Sequence, residues 1–489
     1  MSKLDSKSPT LKRISDIIWE VSPSFKEGML VPARIYGTEK IIKTIDKEVF
    51  DQITNVATLR GIKKYAFALP DCHSGYGFPI GGVAAFDVDE GGVISPGGTG
   101  FDINCGMRLI LTDITKEEIK PKIKELIDAL FKAVPSGVGS SGALNLTKNE
   151  FKELAVDGAE WAVKKEGGDT KDLKATEMYG VADWADVTKI SEKAISRGIK
   201  QIGTLGSGNH YLEIQYITES NIFDKKIAKK WGIFDGQVAI MFHCGSRGAG
   251  HQIATDYLLK FLDVMERKYA IKLRDKELAS APFYSEEGQD YYKAMGCGVN
   301  ISFANRQIIF NSVRHVFSSI FKKDADKLGI RQLFDIAHNR PSLEEYEIDG
   351  LRRKLLVHRK GATASYYKGR KEIPVQFRKD GSPVIIGGSM ETGSYLLIGK
   401  EGAKETFCST AHGSGRTMSR TAAKKVFSGE DIIKSMLSNG IYEKSASMAG
   451  IAEEAGLAYK DIDEVALSVE TANISSRVAK LLPIGGIKG

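Results

Sequence analysis

The sequence predicts an α+β chain folded as one large mixed domain, with short strands gathered at its centre and helices outside. Three observations carry that expectation. Short apolar runs bounded by glycine are mixed with amphipathic stretches, without the regular strand–helix rhythm of a doubly wound sheet. No repeat, low-complexity tract or long linker interrupts the 489 residues, so composition marks no boundary within 1–489. Residues 148–200 are charged and mostly helical in pattern, and read as a peripheral helical insertion on that domain.

Taken in order, residues 10–21 carry Leu11, Ile14, Ile17 and Ile18 at helical spacing and predict an amphipathic helix. Residues 67–87 are apolar and rich in glycine, which predicts short strands and tight turns. Thr115 and Glu118 make a capping box for a helix reaching about residue 134, with Pro121 tolerated near its start. A Gly/Ser loop follows over 135–142. Residues 238–242 predict a strand, 256–272 an amphipathic helix and 300–321 a longer one. Asp349-Gly350 signals a hairpin turn, and the segment after His338 reads as a loop. Residues 384–399 look like β segments broken by glycine, and helices are expected over 445–456 and 472–482.

Sixty-nine Lys and Arg against sixty-two Asp and Glu leave a net charge of +7, which permits a polyanionic partner without requiring one. Five cysteines, odd in number and not spaced as a zinc ribbon or disulfide scaffold, point to a reducing compartment. The first residues are polar, and no apolar run reaches the roughly 18 residues of a membrane span. A cytoplasmic, soluble protein with no membrane partner is the expectation.

Chemistry concentrates in the glycine-rich stretch 97–108, where Asp102 and Cys105 send a hard oxygen and a soft sulfur from nearly the same point. Alone, this is a turn with an inert cysteine. Four of the eight histidines change the balance. His210, His243, His338 and His412 each sit at the end of an apolar segment beside glycine or polar residues. An imidazole so placed can aim one nitrogen at an ion while a backbone acceptor holds the other, so the set points to a metal centre. One thiolate can bridge two cations. Manganese, iron, cobalt and zinc all suit these donors.

The motifs Gly-Phe-Asp-Ile-Asn-Cys-Gly-Met-Arg (100–108), Gly-Thr-Leu-Gly-Ser-Gly-Asn-His-Tyr-Leu-Glu (203–213), His-Cys-Gly-Ser-Arg-Gly-Ala-Gly-His-Gln (243–252), His-Arg-Lys-Gly-Ala-Thr (358–363), His-Gly-Ser-Gly-Arg (412–416) and Gly-Ile-Lys-Gly (486–489) resemble the RtcB family of RNA-splicing and repair ligases. The likeness runs in order from about residue 70 to residue 489. It implies an RtcB-like fold with its sheets around a dinuclear centre, and a ligase that uses GTP and two Mn2+ ions. Such an enzyme joins an RNA 3′-phosphate or 2′,3′-cyclic phosphate end to a 5′-hydroxyl end, as in tRNA halves or damaged RNA. The same resemblance makes Asp102, Cys105, His210, His243 and His338 metal ligands, and His412 the nucleophile that carries GMP. It assigns Asn209, Tyr211, Glu213, Ser389, Ser394, Gly413, Gly415, Tyr459 and Lys488 to the guanylate pocket, and Arg247, Arg416 and Arg420 to phosphates of nucleotide or RNA. An archease-like activator is a further implication.

The plain reading of Arg416 and Arg420 is a solvated helix face at i,i+4 spacing, and glycine on either side of Ser414 is expected to let the chain approach a phosphate. Ser342 and Tyr346 stand where the family pattern favours Lys and His. Cys72 and His73 read as structural, and His251, His315 and His358 receive no catalytic role. Two other functions stay open: a metal-dependent phosphoesterase or nuclease, which needs no guanylate pocket, and a catalytically dead RNA-binding protein.

Overall fold

The computed structural model describes residues 9–137, 139–272 and 274–489. Among the described residues two large sheets form the centre. A seven-stranded sheet runs Lys12–Arg13, Ile18–Val21, Ala33–Tyr36, Ala66–His73, Ile80–Asp87, Leu351–Lys360, Asn339–Ile348. An eight-stranded sheet runs Arg331–Ala337, Gly106–Thr115, Gln237–Cys244, Tyr211–Tyr216, Ser475–Lys488, Ser394–Gly399, Pro383–Ile386, with Tyr442–Ser445 pairing Ser475–Lys488 beside that path. A small ribbon pairs Ala362–Ala364 with Ser409–Ala411. The result is one mixed domain in which helices flank the sheets, except that Glu286–Phe321 is buried from Ala294 to Asn311 and does not lie outside as expected.

Period-two alternation explains the layers. In Ile80–Asp87, Val83 and Ala85 pack with Phe67, Leu69, Val357 and, from the second sheet, Val384, Ile386 and Leu397. Their neighbours Ala84 and Phe86 face Ile53 and the helix residues Phe261, Tyr291 and Phe303. A strand buried on both faces reads as an unbroken apolar run, as this one does. The second sheet repeats the arrangement. Ile110, Ile240 and Phe242 pack on Ile127 and Leu130 of helix Ile123–Ala133 and on Phe310 and Phe317 of helix Glu286–Phe321, while Leu109, Met241 and Leu396 face Trp231 and Phe377.

Several expectations are corrected. Residues 10–21 form two short antiparallel strands, Lys12–Arg13 and Ile18–Val21, in place of a helix. The β-branched Ile18 and Val21 pair with Ala33–Tyr36, and Trp19 Nε1 donates to Gly37 O at 3.0 Å, so sheet pairing outweighs a helical spacing. Residues 475–482 belong to the strand Ser475–Lys488, and the helix lies earlier, at Ile462–Thr471. That strand fills the gap between Tyr211–Tyr216 and Ser394–Gly399, where its backbone is paired on both sides, and Pro483 sits beside a register shift that tolerates its missing N–H. The segment after His338 is a strand paired with Leu351–Lys360 across Asp349-Gly350, whose φ values of 52° and 76° fit a primed hairpin turn.

Thr115 and Glu118 do form the capping box, yet Pro121 divides the following helix into Lys116–Ile119, a 3-10 turn over Lys120–Lys122, and Ile123–Ala133. Two helices start earlier than their apolar periodicity: Arg247–Tyr269 and Glu286–Phe321, the latter capped by Ser285. In the segment 148–200, helix Lys148–Glu166 packs through Phe151, Leu154 and Trp161 on Cys297, Ile301 and Ala304. Among the described residues, no helix is long and apolar enough to cross a membrane.

Candidate active site and metal centre

The strand register builds the site. Cys105 immediately precedes Gly106–Thr115, His210 precedes Tyr211–Tyr216, His338 follows Arg331–Ala337, and His243 lies near the end of Gln237–Cys244. These four strands are neighbours: Met107 pairs His243, Tyr211 pairs His243, and Gly106 pairs Ala337. The donors therefore leave adjacent strand ends on one edge of the sheet. His338 N donates to Cys105 O at 2.8 Å, which ties the outermost donor to the central one.

Asp102 Oδ2 lies 3.0 Å from His210 Nε2, and Cys105 Sγ is 3.3 Å from His210 Nε2 and 3.0 Å from His243 Nε2. His243 Nε2 is 3.1 Å from His338 Nε2. The sulfur thus sits between a carboxylate–imidazole pair and an imidazole–imidazole pair. His243 Nδ1 lies 3.1 Å from the carbonyl of Asn209, which only accepts, so Nδ1 carries the proton and Nε2 presents a lone pair to the sulfur and to His338. Burial, then neighbouring histidines, holds His243 and His338 well below the ordinary imidazole range. Burial, then Asp102, pushes the Cys105 thiol up. A lone pair of His243 aimed at a sulfur that also lies beside His210, with Asp102 and His338 next in line, makes a donor set that suits a cation, and Asp102, Cys105, His210, His243 and His338 fit the metal expected of them.

His412 follows the short strand Ser409–Ala411, and its ring centroid is 4.6 Å from that of His338. Asp71, fully buried in Ala66–His73, accepts from His412 Nδ1 at 2.6 Å and from the backbone N–H of His412 and Gly413 at 2.9 and 3.2 Å. Burial would raise this carboxyl, but the His412 contacts hold it below the usual carboxylate range. The ionised acceptor fixes the proton on Nδ1 and leaves the Nε2 lone pair free. Gly415 belongs to the same device: at φ 72° a Cβ there would meet the Asp71 carbonyl at 2.0 Å. The close approach that requires glycine at 415 is to backbone, not to a ligand.

A cavity of about 1150 Å³ opens over these groups, lined also by Asn209, Tyr211, Gly413, Gly415, Tyr459, Lys488, Arg247, Arg416 and Arg420. Glu213, Ser389 and Ser394 are buried behind that wall. Gln215 Nε2 donates to Glu213 at 2.7 Å and to Ser394 at 3.2 Å. Burial pushes Glu213 up to about 7, against the pull of Lys488 and Gln215. A second buried carboxyl, Glu443, is raised by burial and by Glu213.

Arg416 departs from the sequence reading in both directions. It precedes helix Arg420–Val426, so the two arginines do not share a helix face. Its guanidinium donates to Met418 O, Glu454, Tyr459 and Glu453 O, leaving Arg420 and Arg247 as the freer forks. Glu454 gathers Arg416, Arg420, Tyr459 and, at 3.7 Å, Lys488. Asp71 and Glu454 were not among the sequence candidates. The available signal was a lone carboxylate in an apolar run for Asp71, and none for Glu454.

Fold and cluster together define a mixed α/β protein with a candidate metal centre under a polar cavity. The chain belongs to the RtcB family: the family model described as tRNA-splicing ligase RtcB matches residues 52–489. A protein named tRNA-splicing ligase RtcB from Archaeoglobus fulgidus is 50% identical over 480 residues, covering 98% of this chain and 99% of the relative. Relatives of the same name from Thermococcus kodakarensis and Methanococcus maripaludis are each 48% identical over 481 residues, again 98% of this chain and 99% of theirs.

Proposed function

We propose that this protein is a GTP-dependent RNA ligase of tRNA splicing or RNA repair, joining a 3′-phosphate or 2′,3′-cyclic phosphate end to a 5′-hydroxyl end through GMP carried on His412. One observation carries the reading: His412 is locked on Asp71 through Nδ1, with its ring 4.6 Å from that of His338 in the donor cluster. Asp102, Cys105 and His210 would hold one Mn2+, and Cys105, His243 and His338 the other, because the sulfur lies between the two pairs. When bound, the ions supply Lewis-acid stabilisation of charge on phosphate oxygens and lower the pKa of water.

The chain's own groups do the rest. His412 Nε2 attacks the α-phosphorus of GTP, its lone pair forming the P–N bond as pyrophosphate leaves with the electrons of the broken P–O bond. Asp71 keeps the proton on Nδ1 and balances the charge that the ring acquires. An RNA 3′-phosphate oxygen then takes GMP and frees His412, and the 5′-hydroxyl displaces GMP to close the phosphodiester. A cyclic end is first opened by water. Glu213 accepts from the guanine edge in its ionised form, with Lys488 beside it, and Ser389 and Ser394 stand behind the wall that Asn209, Tyr211, Gly413 and Tyr459 present to the nucleotide. Arg247 and Arg420 grip phosphates, for which a planar fork is suited.

A phosphoesterase or nuclease would need no guanylate pocket and would leave His412 without GMP, and a dead RNA-binding protein would not need a complete set of donors. The buried, unpaired state of all five cysteines suits a cytoplasmic enzyme. An archease-like activator belongs to the same reading, tested by whether added archease raises turnover with excess RNA. The main experiment incubates cyclic-phosphate and 5′-hydroxyl RNA with GTP and Mn2+. Native protein should join them and carry acid-labile GMP, His412→Ala should do neither, and Cys105→Ala should not join. A labelled adduct that persists in His412→Ala would end this reading.

A further inference from the structure

The cavity carries a feature that neither the donors nor the guanylate residues use. Phe101 and His251 stack with ring centroids 4.9 Å apart and planes 26° apart, and Tyr76 meets Phe101 edge-on at 5.1 Å. All three line the cavity, His251 is exposed and the other two are half-buried. They come from separate places: the turn between Ala66–His73 and Ile80–Asp87, the residue before Asp102, and the second turn of helix Arg247–Tyr269. Lys360 Nζ donates to the carbonyls of Tyr76 and Phe78 and holds the first of these turns in place. Arg197 lies on the same wall and donates to Gln252, one residue from His251. Burial, then the Arg197 guanidinium, keeps His251 below its ordinary range, so near neutral pH the ring is an uncharged aromatic surface.

A parallel ring pair at the wall of a polar cavity, with guanidinium groups alongside, is the arrangement that receives an unpaired base whose backbone passes the cations. We propose that Tyr76, Phe101 and His251 form a stacking platform for the terminal nucleobase of an RNA end being joined. Phe101 adjoins Asp102, so the stacked nucleotide presents its terminal oxygen at the donor cluster while Arg197 meets its phosphate. Stacking tolerates any base, so the platform selects for an unpaired terminal base, not for a sequence. The inference rests on the ligase reading and adds to it a subsite outside the guanylate pocket.

The test compares RNA strands with a normal or an abasic nucleotide at the joint, placed in separate reactions at the 3′-phosphate end or the 5′-hydroxyl end. Native protein should join abasic strands of one end type about ten-fold less well, the scale of one lost base–aromatic stack, and the sensitive arm identifies which end sits on the platform. His251→Ala should join normal and abasic strands alike, and His251→Phe should restore the preference. Melting temperature checks that the variants fold. Equal joining of both kinds by native protein, or a preference that survives in His251→Ala, overturns the platform. Should native protein join no strand at all, the ligase reading fails instead. The same normal-to-abasic comparison, read as strand affinity by fluorescence anisotropy, then still decides the platform by the same criteria.

Discussion

Asp71 shows how much of the chemistry rests on one carboxylate. It fixes which nitrogen of His412 bears the proton, and Asp71→Asn offers an amide that can either donate or accept. Formation of the GMP adduct should slow at least about a hundred-fold in that variant, the range for a lost proton-positioning partner, and a rate within a few-fold of native would remove Asp71 from the mechanism. Glu213 makes a separate claim through pH. Its carboxyl is raised to about 7 in the folded state, so folding costs nothing at this group below the unfolded value near 4.5 and is progressively opposed as pH rises toward and past 7. The difference amounts to about 3 kcal/mol at most. Melting temperature should therefore fall less between pH 5 and 8 in Glu213→Gln than in native protein, and identical slopes would contradict the raised value. Glycine and strand-end context single out Asp102, Cys105 and the four histidines in the sequence, and the structure brings these six side chains together. Asp71 is not singled out, since its partner lies 341 positions away and the histidine near it in sequence, His73, is not that partner.

At the scale of elements, strand ends set the donors and a buried ion network sets the strands. Asp335 in Arg331–Ala337 accepts from Arg108 of Gly106–Thr115 at 2.7 Å and from Arg306 of helix Glu286–Phe321 at 2.9 Å, all three fully buried. Arg306 also donates to the carbonyls of Asn104 and Cys244, beside the donors Cys105 and His243. Asp335→Asn would strand two guanidinium groups without their counter-charge, a loss of about 3–5 kcal/mol. The check is the midpoint of denaturant unfolding, and an unmoved midpoint would mean that the network does not hold these strands. The elements recovered from sequence were those whose pattern is local: the Thr115 capping box, the Asp349-Gly350 turn and the apolar strand near 238–242. Residues 475–482 were misread because Val478, Ala479 and Leu481 suit a helix as well as a strand. Only the two open neighbours, Tyr211–Tyr216 and Ser394–Gly399, decide between them.

At the scale of the whole molecule, the mixed class of the described residues, whose sheets are not doubly wound, was readable, whereas the pairing order of the strands was not, because it depends on contacts far apart in the chain. The donor cluster lies at the strand ends of the eight-stranded sheet, and Asp71 reaches His412 beside it from the seven-stranded one. A cation bound there should stabilise the folded state by mass action, about 2.7 kcal/mol at a hundred-fold excess over its dissociation constant. Added Mn2+ should raise the melting temperature by a few degrees and EDTA reverse it, with a reduced response in His243→Ala and none in Cys105→Ala, whose sulfur serves both donor pairs; a full response in Cys105→Ala would place the ions elsewhere. The five donors span Asp102 to His338 and meet only when four strands lie side by side in register. A nascent chain leaving the ribosome therefore carries these donors apart until the strands pair, and the set is complete only once the strand before His338 has docked.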